Sequence, residues 1–375
     1  MPGLLPNVDP DGLQEFSVVF TDRSLNHMSA SFQQVMRDIS ETLKGVYKAE
    51  AVVVVPGGGT YGMEAVVRQF ANDAKALVVR NGWFSYRWTQ IFEAGNIPSE
   101  HTVLKARQTG NAASAPFAPV AIEEAVARIL DERPALVFAP HVETSSGIIL
   151  PDNYIKALAD AAYEVGGLMV LDCIASGTIW VDMAATGVDI LISAPQKGWS
   201  SSPAAALVML SEAALARMAE TTSSSFALNL NTWHAIMQAY EGGGHAYHAT
   251  LPTDALKAFR DAMQETEALG WDNIAAAQQE LGDKVRAMLK ARGIASVAAA
   301  GFEAPGVVVS YTDDADVKSG KKFAALGMQI AAGVPLQCDE PEGFSTFRLG
   351  LFGLDKLADI DGTVKRLEVA LDQVL

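Results

Sequence analysis

Between Asp189 and Glu212 the only charged residue is Lys197, in the stretch LISAPQKGWSSSP between an apolar run and a hydroxyl-rich turn. A lysine without charged neighbours has its ammonium disfavoured by desolvation, so its neutral amine becomes accessible as nucleophile or base. Asp172, in LMVLDCIASG, ends another apolar run, and a carboxylate there is costly to bury ionised without a partner. In PGGGTYGMEA, Gly57, Gly58 and Gly59 permit close backbone approach, and the helix start that follows offers free N–H groups to an anion. NGWFSYRW carries Trp83, Phe84, Tyr86 and Trp88, flat faces for a planar ring. PHVETSSGIILP adds hydroxyls and a carboxylate.

Taken singly, each feature also has a structural reading. Glycine turns occur without ligands, aromatics fill cores and subunit contacts, and Asp and Ser cap helices. Together they suit one ligand class, a phosphorylated, planar, nitrogen-containing aldehyde. The lysine forms a Schiff base with the aldehyde and the aspartate pairs with a protonated ring nitrogen, while an aromatic ring stacks and the glycine turn binds the phosphate. Those requirements describe pyridoxal 5′-phosphate, with Lys197 as the lysine that holds it.

The elements that must position these residues alternate. Apolar periodicity predicts helices over 30–47, 61–71, 85–95, 120–131 and 152–165, and short β-branched or apolar runs predict strands over 51–55, 75–80, 101–105, 135–139, 168–172, 188–192 and 205–210. This is the pattern of a mostly parallel sheet covered by helices, in which ligands sit beyond the carboxyl ends of the strands. After about residue 253 the texture changes to helices 253–267 and 271–292, strands near 295–299 and 306–311, helix 317–331, a strand near 345–350 and a closing helix 355–374. The expected organisation is an irregular N-terminal arm (1–20), a large α/β domain (21–252) and a smaller C-terminal α+β domain (253–375).

With these motifs placed, the chain resembles the class V aminotransferases of fold type I, in particular the alanine–glyoxylate and serine–pyruvate group. GGTYGMEA resembles the family's phosphate turn, which implies Gly58, Gly59 and Thr60 at the phosphate. NGWFSYRW implies that Phe84 stacks on the cofactor ring, and HVETSSG implies that Thr144 helps hold the cofactor. LDCIASG is similar to the segment carrying the pyridine-nitrogen aspartate, here Asp172, with Ile174 under the ring; APQKGWSSSP matches the Gln196–Lys197 pair. YHATLP implies that Tyr247 and Thr250 reach the phosphate bound by a second subunit, hence a homodimer, and STFRLGLFG places Arg348 on the substrate α-carboxylate. The N-terminal region departs from the family's Pro-Gly-Pro-rich start, with His27, Met28 and Ser29 where a His-Arg-Ser type sequence is usual. The resemblance implies ping-pong transamination, with Lys197 and Asp172 as the catalytic pair. It also implies a small amino acid of the alanine or serine type as donor and a small 2-oxo acid such as glyoxylate or pyruvate as acceptor. A lyase, ammonia-lyase or cysteine desulfurase is the alternative on the same cofactor, and a non-catalytic α/β binding module the alternative of another class.

The bulk properties set outer bounds. A net charge of −16, from 28 Lys+Arg against 44 Asp+Glu, disfavours nucleic acid and anionic membranes as partners. Cys173 and Cys338 are too few for a disulfide framework and lack metal-ligand spacing, as do His234, His245 and His248, so no metal is expected. The N-terminus lacks the basic and apolar regions of a secretory leader and no apolar run is long enough to span a bilayer, so a cytoplasmic protein is expected.

Overall fold

The computed structural model describes residues 9, 10 and 12–374; residues 1–8 and 11 of the expected arm lie outside the described residues. Seven strands form the main sheet: β1 (Ala51–Pro56), β2 (Lys75–Arg80), β3 (Glu100–Lys105), β4 (Leu136–Pro140), β5 (Leu168–Asp172), β6 (Ile190–Ser193) and β7 (Ala205–Leu210), in the order β1-β7-β6-β5-β4-β2-β3. The pairs β6–β5, β5–β4, β4–β2 and β2–β3 are parallel, whereas β7 runs antiparallel to both β1 and β6. Six strands therefore point the same way, and the carboxyl ends of β1, β2, β4, β5 and β6 share one edge. β7 is buried along its whole length, which is why its AALVML reads as a continuous apolar run.

Local chemistry sets the helices that flank that edge. Helix α1 (Ala30–Tyr47) starts at Ser29, whose hydroxyl accepts from Phe32 N at 3.1 Å, and buries Phe32, Val35, Met36, Ile39 and Leu43 at helical spacing. Helices α2 (Gly59–Phe70) and α3 (Trp83–Gly95) follow β1 and β2 directly. Helices Glu212–Glu220 and Leu230–Glu241 lie outside the sequence reading, although Ser211 and Asn229 cap them through Ala214 N and Thr232 N at 3.1 Å.

A second antiparallel sheet, β8 (Val307–Tyr311), β9 (Ala331–Ala332) and β10 (Thr346–Gly350), has β10 at its centre. It packs with helix Trp271–Ala291 and the C-terminal helix Ile360–Val374 around Leu281, Val285, Phe347 and Leu371. A further apolar group, including Val142, Ile148, Val307, Val309 and Leu336, joins this layer to the main sheet's functional edge.

Three C-terminal expectations need correction. The expected helix 317–331 is broken into Ala315–Lys318 and Lys321–Ala325 and gives way to β9. Gly320 (φ +81°) and Gly327 (φ +76°) adopt left-handed conformations that a helix cannot continue through. Residues 295–299 form no strand: Ser296 bridges Ser310 while Ala298 bridges Phe117, so the segment divides its pairing between two neighbours. The closing helix is interrupted at Asp359.

Candidate active site

Asp172 is the last residue of β5, flanked in register by Pro140 of β4 and Ile192 of β6. Its Oδ1 accepts from Ile174 N at 2.9 Å, the one hydrogen bond found for this carboxylate among the described residues. Burial pushes its pKa up to about 7; the Ile174 bond opposes the shift, nearby Glu143 adds to it, and Arg87 and Lys197 pull it back.

Lys197 lies in the turn after β6, held from several sides. A Cβ on Gly198 would collide with the Gly177 carbonyl, so glycine is required where the turn crosses the segment after β5. Trp199 is buried against Trp180, with ring centroids 4.7 Å apart, and its Nε1 donates to Ser193 Oγ at 3.3 Å. Leu354 N donates to Ser200 Oγ at 3.0 Å, tying the turn to the C-terminal layer. Lys197 Nζ lies 5.4 Å from the Phe352 ring centroid. Its pKa is lowered by burial first and by Arg348 and Arg87 as well, with Asp172 opposing, which favours the neutral amine.

Gly58 is the N-cap of α2, and a Cβ there would meet nothing within 4 Å, so the space above the first helical turn is open. Thr60, in that turn, accepts from Arg87 Nη1 at 2.7 Å through its hydroxyl. Phe84, in the first turn of α3, has the guanidinium carbons of Arg87 and Arg348 at 5.2 and 5.6 Å from its ring centroid. Arg348, on β10, donates from Nε to Ala332 O at 2.8 Å and from Nη1 to Thr144 O at 3.5 Å. Those bonds orient the guanidinium plane and leave Nη2 and a second Nη1 hydrogen for a ligand.

Asp172, Lys197, Ile174, the 58–60 turn, Phe84, Thr144 and Arg348 thus converge at one edge. Gln196 is exposed beside Lys197. Tyr247 and Thr250 stand apart: Tyr247 is 53% exposed, its hydroxyl is 3.0 Å from Thr250 Oγ1, and its ring packs 5.4 Å from His27.

The class-V aminotransferase family model matches residues 13–323. The chain belongs to the class-V aminotransferases. This class-V aminotransferase is 29% identical over 362 residues to the 2-aminoethylphosphonate–pyruvate transaminase of Paraburkholderia phymatum, covering 93% of this chain and 90% of that one. It is 25% identical over 359 residues to the soluble hydrogenase small subunit of Synechococcus sp., covering 93% and 88%. Its fold matches that of alanine–glyoxylate aminotransferase from Nostoc sp. with a TM-score of 0.76 at 21% identity, over 92% and 88% of the two chains.

Class-V aminotransferases are pyridoxal 5′-phosphate-dependent fold-type I enzymes, and the residues present fit that cofactor. A buried carboxylate with a single backbone donor has an oxygen left for a protonated ring nitrogen, and the open helix N-terminus at Gly58 suits a phosphate.

Four residues that sequence reasoning left without a role lie in or beside this site. Arg87 bridges Thr60 and Phe84, and Phe352 faces Lys197. His141 is fully buried, its Nδ1 2.7 Å from Ser176 Oγ, and burial lowers its pKa to about 4, so the ring is neutral. Glu143 is buried beneath the first turn of α3. Arg87, His141 and Glu143 stand inside quoted motifs, but only the tertiary contacts say what each touches. Phe352 likewise stands inside a motif, STFRLGLFG, and only its contact with Lys197 gives it a place.

Proposed function

We propose that this enzyme moves an amino group from a small amino acid of the alanine or serine type to a small 2-oxo acid such as glyoxylate or pyruvate. The observation that carries the reading is the pairing of a buried, singly bonded Asp172 with a desolvated Lys197 at one sheet edge. Pyridoxal 5′-phosphate, when bound, supplies the aldehyde carbon for the amino group and a ring that withdraws the electrons released from the substrate Cα. Gly58, Gly59 and Thr60 would hold its phosphate, and Phe84 and Ile174 would pack against its ring. Thr144 and Gln196 add polar contacts.

Asp172 would accept a hydrogen bond from the protonated ring nitrogen through the oxygen that Ile174 leaves free, keeping that proton in place. Lys197 would be the residue that holds the cofactor, and its amine, kept towards the neutral form by burial, would serve as the base that takes the α-proton and returns it. Arg348 clamps the α-carboxylate with the guanidinium edge that Ala332 and Thr144 leave free, which fixes the Cα–H bond relative to Lys197.

A small 2-oxo acid as acceptor is supported by the pyruvate transaminase among the similar sequences. A cytoplasmic homodimer is part of the same reading. Tyr247 and Thr250 meet on the surface of their own chain, which supports a role at the partner's phosphate. Among the described residues no helix is long and apolar enough to cross a membrane.

Titrating the cofactor-loaded enzyme with single amino acids, without oxo acid, tests the reaction. Absorbance at about 410–430 nm is expected to give way to a band near about 330 nm with one small amino acid and to return with glyoxylate or pyruvate. Loss of the band with release of ammonia or sulfide would replace transamination by elimination.

A further inference from the structure

Glu143 is completely buried, on a two-residue strand (Val142–Glu143) that pairs with Ile148–Ile149 below the cofactor edge. Its Oε1 accepts from Phe84 N at 3.2 Å, Ser145 N at 3.0 Å and Ser145 Oγ at 2.7 Å; its Oε2 accepts from Ser85 N and Ser85 Oγ at 2.8 and 2.7 Å. Ser145 Oγ accepts in turn from Trp83 N at 2.8 Å. Three successive N–H groups at the start of α3, which have no partner inside the helix, are therefore satisfied by a different segment of the chain. The carboxylate also sits at the positive end of that helix. The approach depends on Gly82, where a Cβ would lie 2.8 Å from Glu143 Cγ and closer still to Ser145 Oγ.

This one carboxylate joins the two segments that face the cofactor. The first turn of α3 carries Phe84 and, one turn on, Arg87. The hairpin turn carries Thr144, whose carbonyl holds Arg348. We propose that Glu143 is a positioning residue that locks the Phe84 and Thr144 segments in one relative geometry and so sets how tightly, and in what orientation, the cofactor ring is held. The inference rests on the reading that the cofactor lies between those segments and Asp172.

The two oxygens are used unequally but completely, so the isosteric Glu143→Gln is not conservative. Its amide nitrogen must face either Ser85 N–H or the N–H groups of Phe84 and Ser145, donor against donor. Asp189→Asn is a control: Asp189, half-buried just before β6, likewise accepts from a backbone N–H (Met169, 2.9 Å) and a serine hydroxyl (Ser211, 2.9 Å).

The test is titration of cofactor-free protein with pyridoxal 5′-phosphate at a temperature where each variant is folded, read by tryptophan fluorescence and by the circular dichroism induced in the bound cofactor. Glu143→Gln is expected to raise the dissociation constant about 10- to 100-fold and to alter the induced band. Asp189→Asn is expected to lower the melting temperature with the dissociation constant unchanged. If Glu143→Gln does not fold, Ser145→Ala, which removes the bridge from Trp83 to Glu143, carries the test with an expected rise of about 3- to 10-fold. A destabilised Glu143→Gln, or a folded Ser145→Ala standing in for it, that binds the cofactor with wild-type affinity and the wild-type induced band overturns the proposal and leaves Glu143 a helix cap. Failure of the wild-type protein to bind the cofactor is a different result and overturns the underlying site.

Discussion

A Cβ on Gly59 would lie 2.7 Å from Cγ1 of Ile174 and closer still to its Cδ1. The first turn of α2 and the residue two places past Asp172 therefore share one volume, and a methyl group at position 59 must displace the side chain assigned to the underside of the ring. Overpacking of this kind costs about 1–3 kcal/mol. If Ile174 yields toward the ring, Gly59→Ala weakens cofactor binding about 5- to 150-fold. Calorimetric titration of the cofactor-free variant checks this, and an unchanged affinity would separate Ile174 from the ring site.

Asp172 gives a prediction in pH. Its folded pKa of about 7 lies above the ordinary 3.8, so between those values the folded cofactor-free chain binds more protons than the unfolded one. Its contribution is absent below the unfolded value, grows more unfavourable as pH rises and is complete above the folded value. Cofactor-free Asp172→Asn lacks this penalty. Its stability advantage over the parent is expected to widen by about 2 kcal/mol between about pH 5.5 and pH 8. Urea unfolding at the two pH values measures it, and a constant or narrowing gap would contradict the assigned burial.

Arg348 is held by two carbonyls rather than by a carboxylate, so its charge is available to a ligand. Removing it as Arg348→Ala forfeits charge-assisted hydrogen bonds worth about 1.5–3 kcal/mol each. The expected loss in kcat/KM for amino acids is about 10- to 200-fold, with cofactor affinity retained. Amines without an α-carboxylate should lose little, and an equal loss for both substrate types would remove Arg348 from the carboxylate role.

Neither thiol is placed to act as a nucleophile. Cys173 and Cys338 are buried, and burial pushes the Cys338 pKa up to about 12 and raises that of Cys173 as well. Cys338→Ala is expected to keep transaminase turnover, and the native protein to react only slowly with a thiol reagent at neutral pH. Sulfide release from cysteine that disappears in Cys338→Ala would restore the desulfurase alternative.

How far the sequence reaches depends on the range of the contacts. The strand ends bearing Asp172 and Lys197 were legible because parallel strands buried on both faces are short apolar runs, and each is followed directly by its chemistry. The reversal of β7 was not, since AALVML is apolar whichever way it runs. Gly320 breaks the expected helix through a φ of +81°, which helical periodicity does not weigh. Glu143 is the deepest omission. It bonds to α3 from 58–59 positions away, and nothing local distinguishes it from an ordinary loop carboxylate.

The central claim, that Lys197 holds the cofactor, is tested most directly by borohydride reduction of the loaded enzyme followed by peptide mass mapping. Reduction saturates the carbon–nitrogen double bond between lysine and cofactor and makes the link permanent. The expected result is a single phosphopyridoxyl-modified peptide with the modification on Lys197, absent from Lys197→Ala. Modification confined to another lysine, or no modification of a protein that retains bound cofactor, would contradict it.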